Sequence, residues 1–346
     1  MRRPARSSLV GGVAVALLLT ACSAPAGPAS DGTDDGAVGP GIDLDCAGLL
    51  GLDVLGEAFA PGIAPIPLTF DGAGDYYALS QIGLAQAGAL RCEWSDGGVD
   101  GPERYLTLSV LPAAAEAWAQ QSAAIAIFQP QADAYGDASW HTCDTRDGYA
   151  SCRIDVLVGD RWLSAVLAGL TTTDAAADVV EAALAALAPA SDLGTPGRVD
   201  PVGSCAELAP AATVGSALGG AVESVELETP VQPVSYHAGF LVAGGTFCTW
   251  RNDLSSASAL SASLGYLPGG AAAWDDYWAT EPSDRVDREP VAGLGDAAYS
   301  GCTGDVHCFA SVRVGADWFQ VTVNDEAVAD ERDRAIELAR EVLAAL

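Results

Sequence analysis

The chain has 346 residues, 50% hydrophobic and 18% charged, a balance that supports globular domains with sizeable cores. All 16 basic residues are arginine, which excludes a Walker-type lysine, a Schiff-base lysine and a Ser-x-x-Lys nucleophile. A formal net charge of −30 argues against nucleic acid or an anionic membrane surface as a partner.

Residues 1–21 have the layout of an export signal. Arg2, Arg3 and Arg6 precede an apolar run from Leu9 to Leu19. That run is shorter than the ~20 residues a spanning helix needs, and small residues follow it. Leu19-Thr20-Ala21-Cys22 resembles a bacterial lipobox, in which the cysteine is lipidated and becomes the mature N-terminus. The expectation is a chain held by acyl groups on Cys22 at the extracytoplasmic face of the cell membrane. Without the three signal arginines the remainder carries −33. Residues 22–41 are almost wholly Ala, Gly, Pro, Ser and Asp, a composition that suits a disordered tether.

Two repeats follow. Cys92 and Cys248, Trp94 and Trp250, Trp118 and Trp274, Cys152 and Cys308, and Trp162 and Trp318 are each 156 positions apart. Gly83 and Gly239, and Gly88 and Gly244, keep that offset, while Cys46 and Cys205, and Cys143 and Cys302, are 159 apart. A period this long means two duplicated domains. The first is expected over 42–188 and the second over 204–346, with a Pro/Gly-rich linker at 189–203.

Within the first repeat, Asp45 is a plausible N-cap for a helix carrying Leu49, Leu50, Val54 and Leu55; Ser204 plays that part in the copy. The Gly- and Pro-rich section up to Gly83 and Gly88 looks like loop. Strands are expected at 89–94 and 105–111, then a helix carrying Trp118, then strands at 138–143, 152–158 and 162–170. The second repeat matches these with strands at 246–250 and 259–267 and a helix carrying Trp274. Final helices are expected over 173–187 and 325–346, the last burying Ile336, Ala339, Leu343 and Leu346. The order α-β-β-α-β-β-β-α, with short turns between the last strands, predicts an α+β fold: in each repeat, one antiparallel sheet with helices packed against it.

Apart from Cys22, each repeat holds four cysteines, an even number in an exported chain, and no Cys-x-x-Cys pair favours a metal. Four cysteines permit three pairings. Drift in the spacing of the near pair favours Cys46–Cys92 with Cys143–Cys152, and Cys205–Cys248 with Cys302–Cys308.

The lipobox, the tether, a cysteine opening the first helix and a later Cys-x-Trp strand together resemble small actinobacterial envelope lipoproteins. The resemblance is to the family called domain of unknown function 3558, over both repeats. It is looser to the sensor domains of actinobacterial kinases. It implies location and fold, with no established chemistry.

His141, His237 and His307 stand at non-equivalent places, and no hydrolase, metalloprotease or dinucleotide motif occurs in a fitting context. The expectation is therefore a binding or sensing module of the cell envelope, not an enzyme, with no cofactor and no metal. Its partners would be the membrane, through Cys22, and a small ligand or an envelope protein. A structural or scaffolding lipoprotein is the alternative. The candidate ligand residues are Tyr76, Tyr77, Tyr236 and His237, on stretches that differ between repeats and should be exposed, beside a cleft between the domains. Trp94 and Trp250 should be core.

Overall fold

The computed structural model describes residues 44–59, 63–66, 77–97, 104–125, 135–146, 148–188, 203–225, 234–253, 260–279, 286–303, 307–324 and 330–346. The signal segment, the tether with Cys22, Tyr76 and nearly all of the linker lie outside them. In the first repeat, helices α1 (Cys46–Leu49) and α2 (Leu52–Phe59) precede the short strand β1 (Ala64–Pro65) and helix α3 (Tyr77–Gln86). Strands β2 (Leu90–Ser95) and β3 (Tyr105–Leu111), helix α4 (Ala115–Ile125), strands β4 (Ala138–Arg146), β5 (Tyr149–Val158) and β6 (Arg161–Leu170), and helix α5 (Asp174–Leu187) complete it.

The second repeat runs through α6 (Cys205–Leu208), α7 (Ala211–Leu218), β7 (Glu223–Val225), α8 (Val234–Val242), β8 (Thr246–Arg251) and β9 (Ser261–Leu267). A 3-10 turn at Gly270–Ala273 leads into α9 (Trp274–Ala279), followed by β10 (Val286–Pro290), β11 (Ala297–Thr303), β12 (His307–Val314), β13 (Asp317–Asn324) and α10 (Glu331–Ala345). The fold is α+β with two antiparallel sheets. Their orders are β1-β2-β3-β6-β5-β4 and β7-β8-β9-β13-β12-β11-β10. The two orders are equivalent strand for strand, except that β10 has no counterpart among the described residues of the first sheet.

The repeated Gly-Asp-Ala start has a structural cause. Gly136 and Gly295 adopt φ of +58° and +59°, and a Cβ on either would lie 2.4 Å from Leu157 O or 2.5 Å from Arg313 O. That backbone conformation carries each chain onto the neighbouring hairpin. The next residue then closes the turn, with Gly159 N donating to Asp137 Oδ2 at 2.6 Å and Gly315 N to Asp296 Oδ2 at 2.7 Å.

All four favoured disulfides form. The long ones tie α1 to β2 and α6 to β8. The short ones join residues directly opposite in register, Cys143 to Cys152 and Cys302 to Cys308. Asp45 caps α1 by accepting from Gly48 N, and Ser204 forms a capping box with Glu207.

On one face of each sheet lies the core expected from sequence. In the first it gathers Leu55, Phe59, Trp94, Leu108, Val156 and Val179; in the second, Val214, Trp250, Leu264, Val312 and Leu338. The stripe of α10 is Ala335, Leu338, Ala339 and Val342. Leu346, expected on it, is 45% exposed, because the helix stops at Ala345.

The opposite faces depart from expectation. The section taken for loop contains α3 and α8, and each crosses to the other repeat. Leu79 and Ile82 of α3 pack with Trp318 and Phe309 of the second sheet and with Trp274 of α9. Ala238 of α8 packs with Trp140 and Trp162 of the first sheet and with Trp118 of α4. Where the helices cross, Gly83 faces Phe240 and Gly239 faces Leu84, a reciprocal contact at the 156-residue offset. The two repeats therefore interlock within one compact unit spanning residues 38–346, with α3 and α8 crossing between them.

Candidate functional site

Three of the four candidate ligand residues stand on helices rather than loops. Tyr77 begins α3, and Tyr236 and His237 lie in α8. His237 is only 8% exposed, its ring edge-on to Phe247 at 5.7 Å, and burial holds its pKa down at about 4. It is a neutral core histidine packed where the two repeats meet. Trp94 and Trp250 are core, at 2% and 1% exposure, as the alternation in their strands predicted.

The chemistry gathers instead on the face of the first sheet that α4 and α8 cover. Register fixes its rows. Leu111, Trp162, Leu157 and Ala138 form an apolar row at the covered end. The next row is polar: Arg91, Ser109, Ser164, Asp155 and Trp140. A third row, Glu93, Thr107, Val166, Arg153 and Thr142, is half-buried to exposed. The face thus grades from a sealed end to an open one across five strands.

Asp155 is the centre of this floor. It is fully buried, and burial raises its pKa against the opposing pull of Arg153, Trp162 and Ser164. Trp162 Nε1 donates to its Oδ1 at 2.7 Å, and Arg153 Nε lies 3.4 Å from its Oδ2. The Arg153 guanidinium also lies over the Trp140 ring, 5.2 Å from its centre. Arg91 and Glu93 form a second ion pair on the same face. Two further buried polar atoms on this side have no hydrogen-bond partner: Trp140 Nε1, next to Asp155 in register, and Gln121 Oε1 on α4. Buried groups of this kind are rare and costly unless something satisfies them.

The second repeat provides an internal control. Trp318 Nε1 donates to Ser311 Oγ at 2.6 Å, and Ser311 Oγ donates to Gln320 Oε1 at 3.3 Å. Ser311 stands at the position of Asp155, and Gln320 at that of Ser164. A hydroxyl therefore satisfies the buried indole, and a carboxyl at Asp155 is more than the scaffold requires.

No known protein family, curated protein or solved structure matches this chain.

Sequence reasoning missed Asp155 because Arg153 and Asp155 alternate with Cys152, Ile154 and Val156, the pattern of a strand with one solvated face. The available signal was the comparison of repeats: at the same distance before an equivalent tryptophan, one copy has Asp155 and the other Ser311.

Proposed function

We propose that the chain is a lipid-anchored extracytoplasmic protein that binds a small polar solute on the floor around Asp155. The observation that carries this reading is the buried carboxyl at Asp155, where Ser311 does the same structural work with a hydroxyl. The unmatched groups beside it include donors and acceptors, so the solute carries both. A free amino acid, a short peptide or a monosaccharide has that chemistry. Anchoring rests on the lipobox at Cys22. No described helix is long and apolar enough to cross a membrane.

A scaffolding role would call for a flat apolar patch. The exposed large apolar side chains among the described residues are Leu52, Ile66, Tyr105, Tyr149, Val158 and Leu346, spread over several elements.

A thermal-shift panel of amino acids, dipeptides and monosaccharides on wild type and Asp155→Ser tests the binding reading. A solute at 100-fold its Kd adds about 2.7 kcal/mol, enough to raise Tm measurably. At least one class should stabilise the wild type and leave the variant unmoved. Equal responses, or none in either protein, would remove the site. Anchoring is tested separately with Cys22→Ser, which should lose fatty-acid labelling and membrane retention; equal labelling of both proteins would refute it.

A further inference from the structure

A second group of unmatched buried donors lies in the other repeat, on an element that the first sheet lacks among its described residues. Strand β10 adds an edge next to β11 and pairs Arg288 with Gly301. A Cβ on Gly301 would lie 2.1 Å from Asp287 O and 2.9 Å from the Phe309 ring, so only glycine lets β10 lie this close. From that edge Arg288 lies over the aromatic layer. Its guanidinium carbon is 5.5 Å from the centre of the Trp278 ring and 5.8 Å from that of Tyr299. Trp278 and Tyr299 are themselves stacked at 4.5 Å and 26°.

Neither polar tip in this stack is satisfied. Trp278 is 6% exposed and its Nε1 has no hydrogen-bond partner. Arg288 Nη1 is likewise buried without one. Both atoms are donors, and they belong to side chains in face contact. An acceptor is what the pair lacks. A guanidinium lying over a ring keeps its N–H groups in its own plane, the geometry that suits a carboxylate. Acceptance by a neutral carbonyl would leave the arginine charge uncompensated.

We propose that Arg288 and Trp278 form a second binding site, taking the carboxylate of a small organic acid at the β10 edge of the second repeat. The guanidinium supplies the charge and Trp278 Nε1 a directional donor. The aromatic layer of Trp278 and Tyr299 holds the arginine in place. This site is separate from the floor at Asp155 and stands whether or not that floor binds a solute.

The test uses the full chain and sodium acetate as the probe, with sodium chloride at matched ionic strength as control. Indole N–H resonances of the eight tryptophans are followed by NMR, and Trp278→Phe identifies one of them by its loss. Acetate should move the Trp278 resonance saturably, and chloride should not. Arg288→Gln should weaken acetate at least tenfold while the Trp94, Trp118, Trp140 and Trp162 resonances stay in place, showing that the first repeat is still folded. Arg288→Lys should recover only part of the affinity, since a point charge replaces a planar fork. A response to chloride alone, no saturable shift with acetate, or unchanged affinity in Arg288→Gln would each overturn the site.

Discussion

Alanine at Gly83 or Gly239 should loosen the crossing of α3 and α8. A Cβ on Gly239 would lie 2.8 Å from Leu84 Cα and 2.5 Å from its Cδ1; on Gly83 it would lie 2.9 Å from Phe240 Cα. A methyl group needs about 3.5–4 Å from another carbon, so the helices must part by roughly 1 Å. Overpacking of this kind costs about 1–3 kcal/mol, because a helix backbone cannot turn aside as a side chain does. Against it stands the better helix propensity of alanine, about 1 kcal/mol. The balance is a loss of up to about 2 kcal/mol at either site. The two substitutions act on one gap, so the double variant should cost less than their sum. Gly56, within α2, has nothing within 4 Å of its Cβ position. Gly56→Ala therefore isolates the propensity term and should stabilise by up to about 1 kcal/mol. Guanidinium unfolding, followed by tryptophan fluorescence, measures all four variants. If Gly83→Ala and Gly239→Ala stabilise as much as Gly56→Ala, the reciprocal crossing is not as tight as described.

Other consequences follow from buried charge and cross-links. His237 has a folded pKa near 4, below its ordinary 6.5, so the stability that it lends is complete above 6.5 and is lost as pH falls toward 4. Replacing it by Gln, the residue at the equivalent position 81, should remove about 3 kcal/mol of that acid sensitivity; an unchanged profile from pH 7 to 4 refutes the buried neutral state. Asp155 has the opposite sign: its folded pKa is raised, so its contribution is complete below the unfolded value and falls as pH rises through the folded one. Asp155→Asn should therefore gain on the wild type as pH rises from 4 to 8, and a constant difference across that range would contradict the burial. Removing Cys46–Cys92, which closes the longer loop, should cost about 1 kcal/mol more than removing Cys143–Cys152, as paired Cys→Ala variants in urea will show.

What could be seen in the sequence was whatever the local period declares. Trp94 shares a strand face with Cys92 and is core; Tyr105 to Leu111 is a strand to the residue; Asp45 and Ser204 cap the helices that they precede. The disulfide frame followed from the even cysteine count and from the drift in spacing between Cys143–Cys152 and Cys302–Cys308. What could not be seen was long-range. In α3 and α8, glycines at 83 and 239 weaken the helical pattern, yet they are there because another backbone passes close by. Both helices are buried against partners on more than one side, so neither shows a strong apolar stripe. These two helices cover the far faces of both sheets. His237, expected on an exposed variable stretch, is a buried residue of α8 for the same reason.

The interlocking also bears on how the two floors came to differ. Each repeat leaves one face of its sheet for a helix of the other, so a single repeat lacks that cover. Two identical copies could supply it to each other only if one surface suited both roles, and the reciprocal Gly83–Phe240 and Gly239–Leu84 contacts have that form. An assembly of identical copies has identical floors. Joining the copies in one chain lifts that restriction while the crossing stays the same. The differences lie where this predicts: Asp155 against Ser311, Arg153 against Phe309 and Ser164 against Gln320, all facing α3 or α8 rather than the core on the other side. One floor has gained ionisable groups, Arg153 and Asp155, and the other is aromatic, with an arginine brought in from an added edge strand. A solute on the first floor lies close to α8, a helix of the second repeat, so binding there bears directly on the crossing that holds the two halves together.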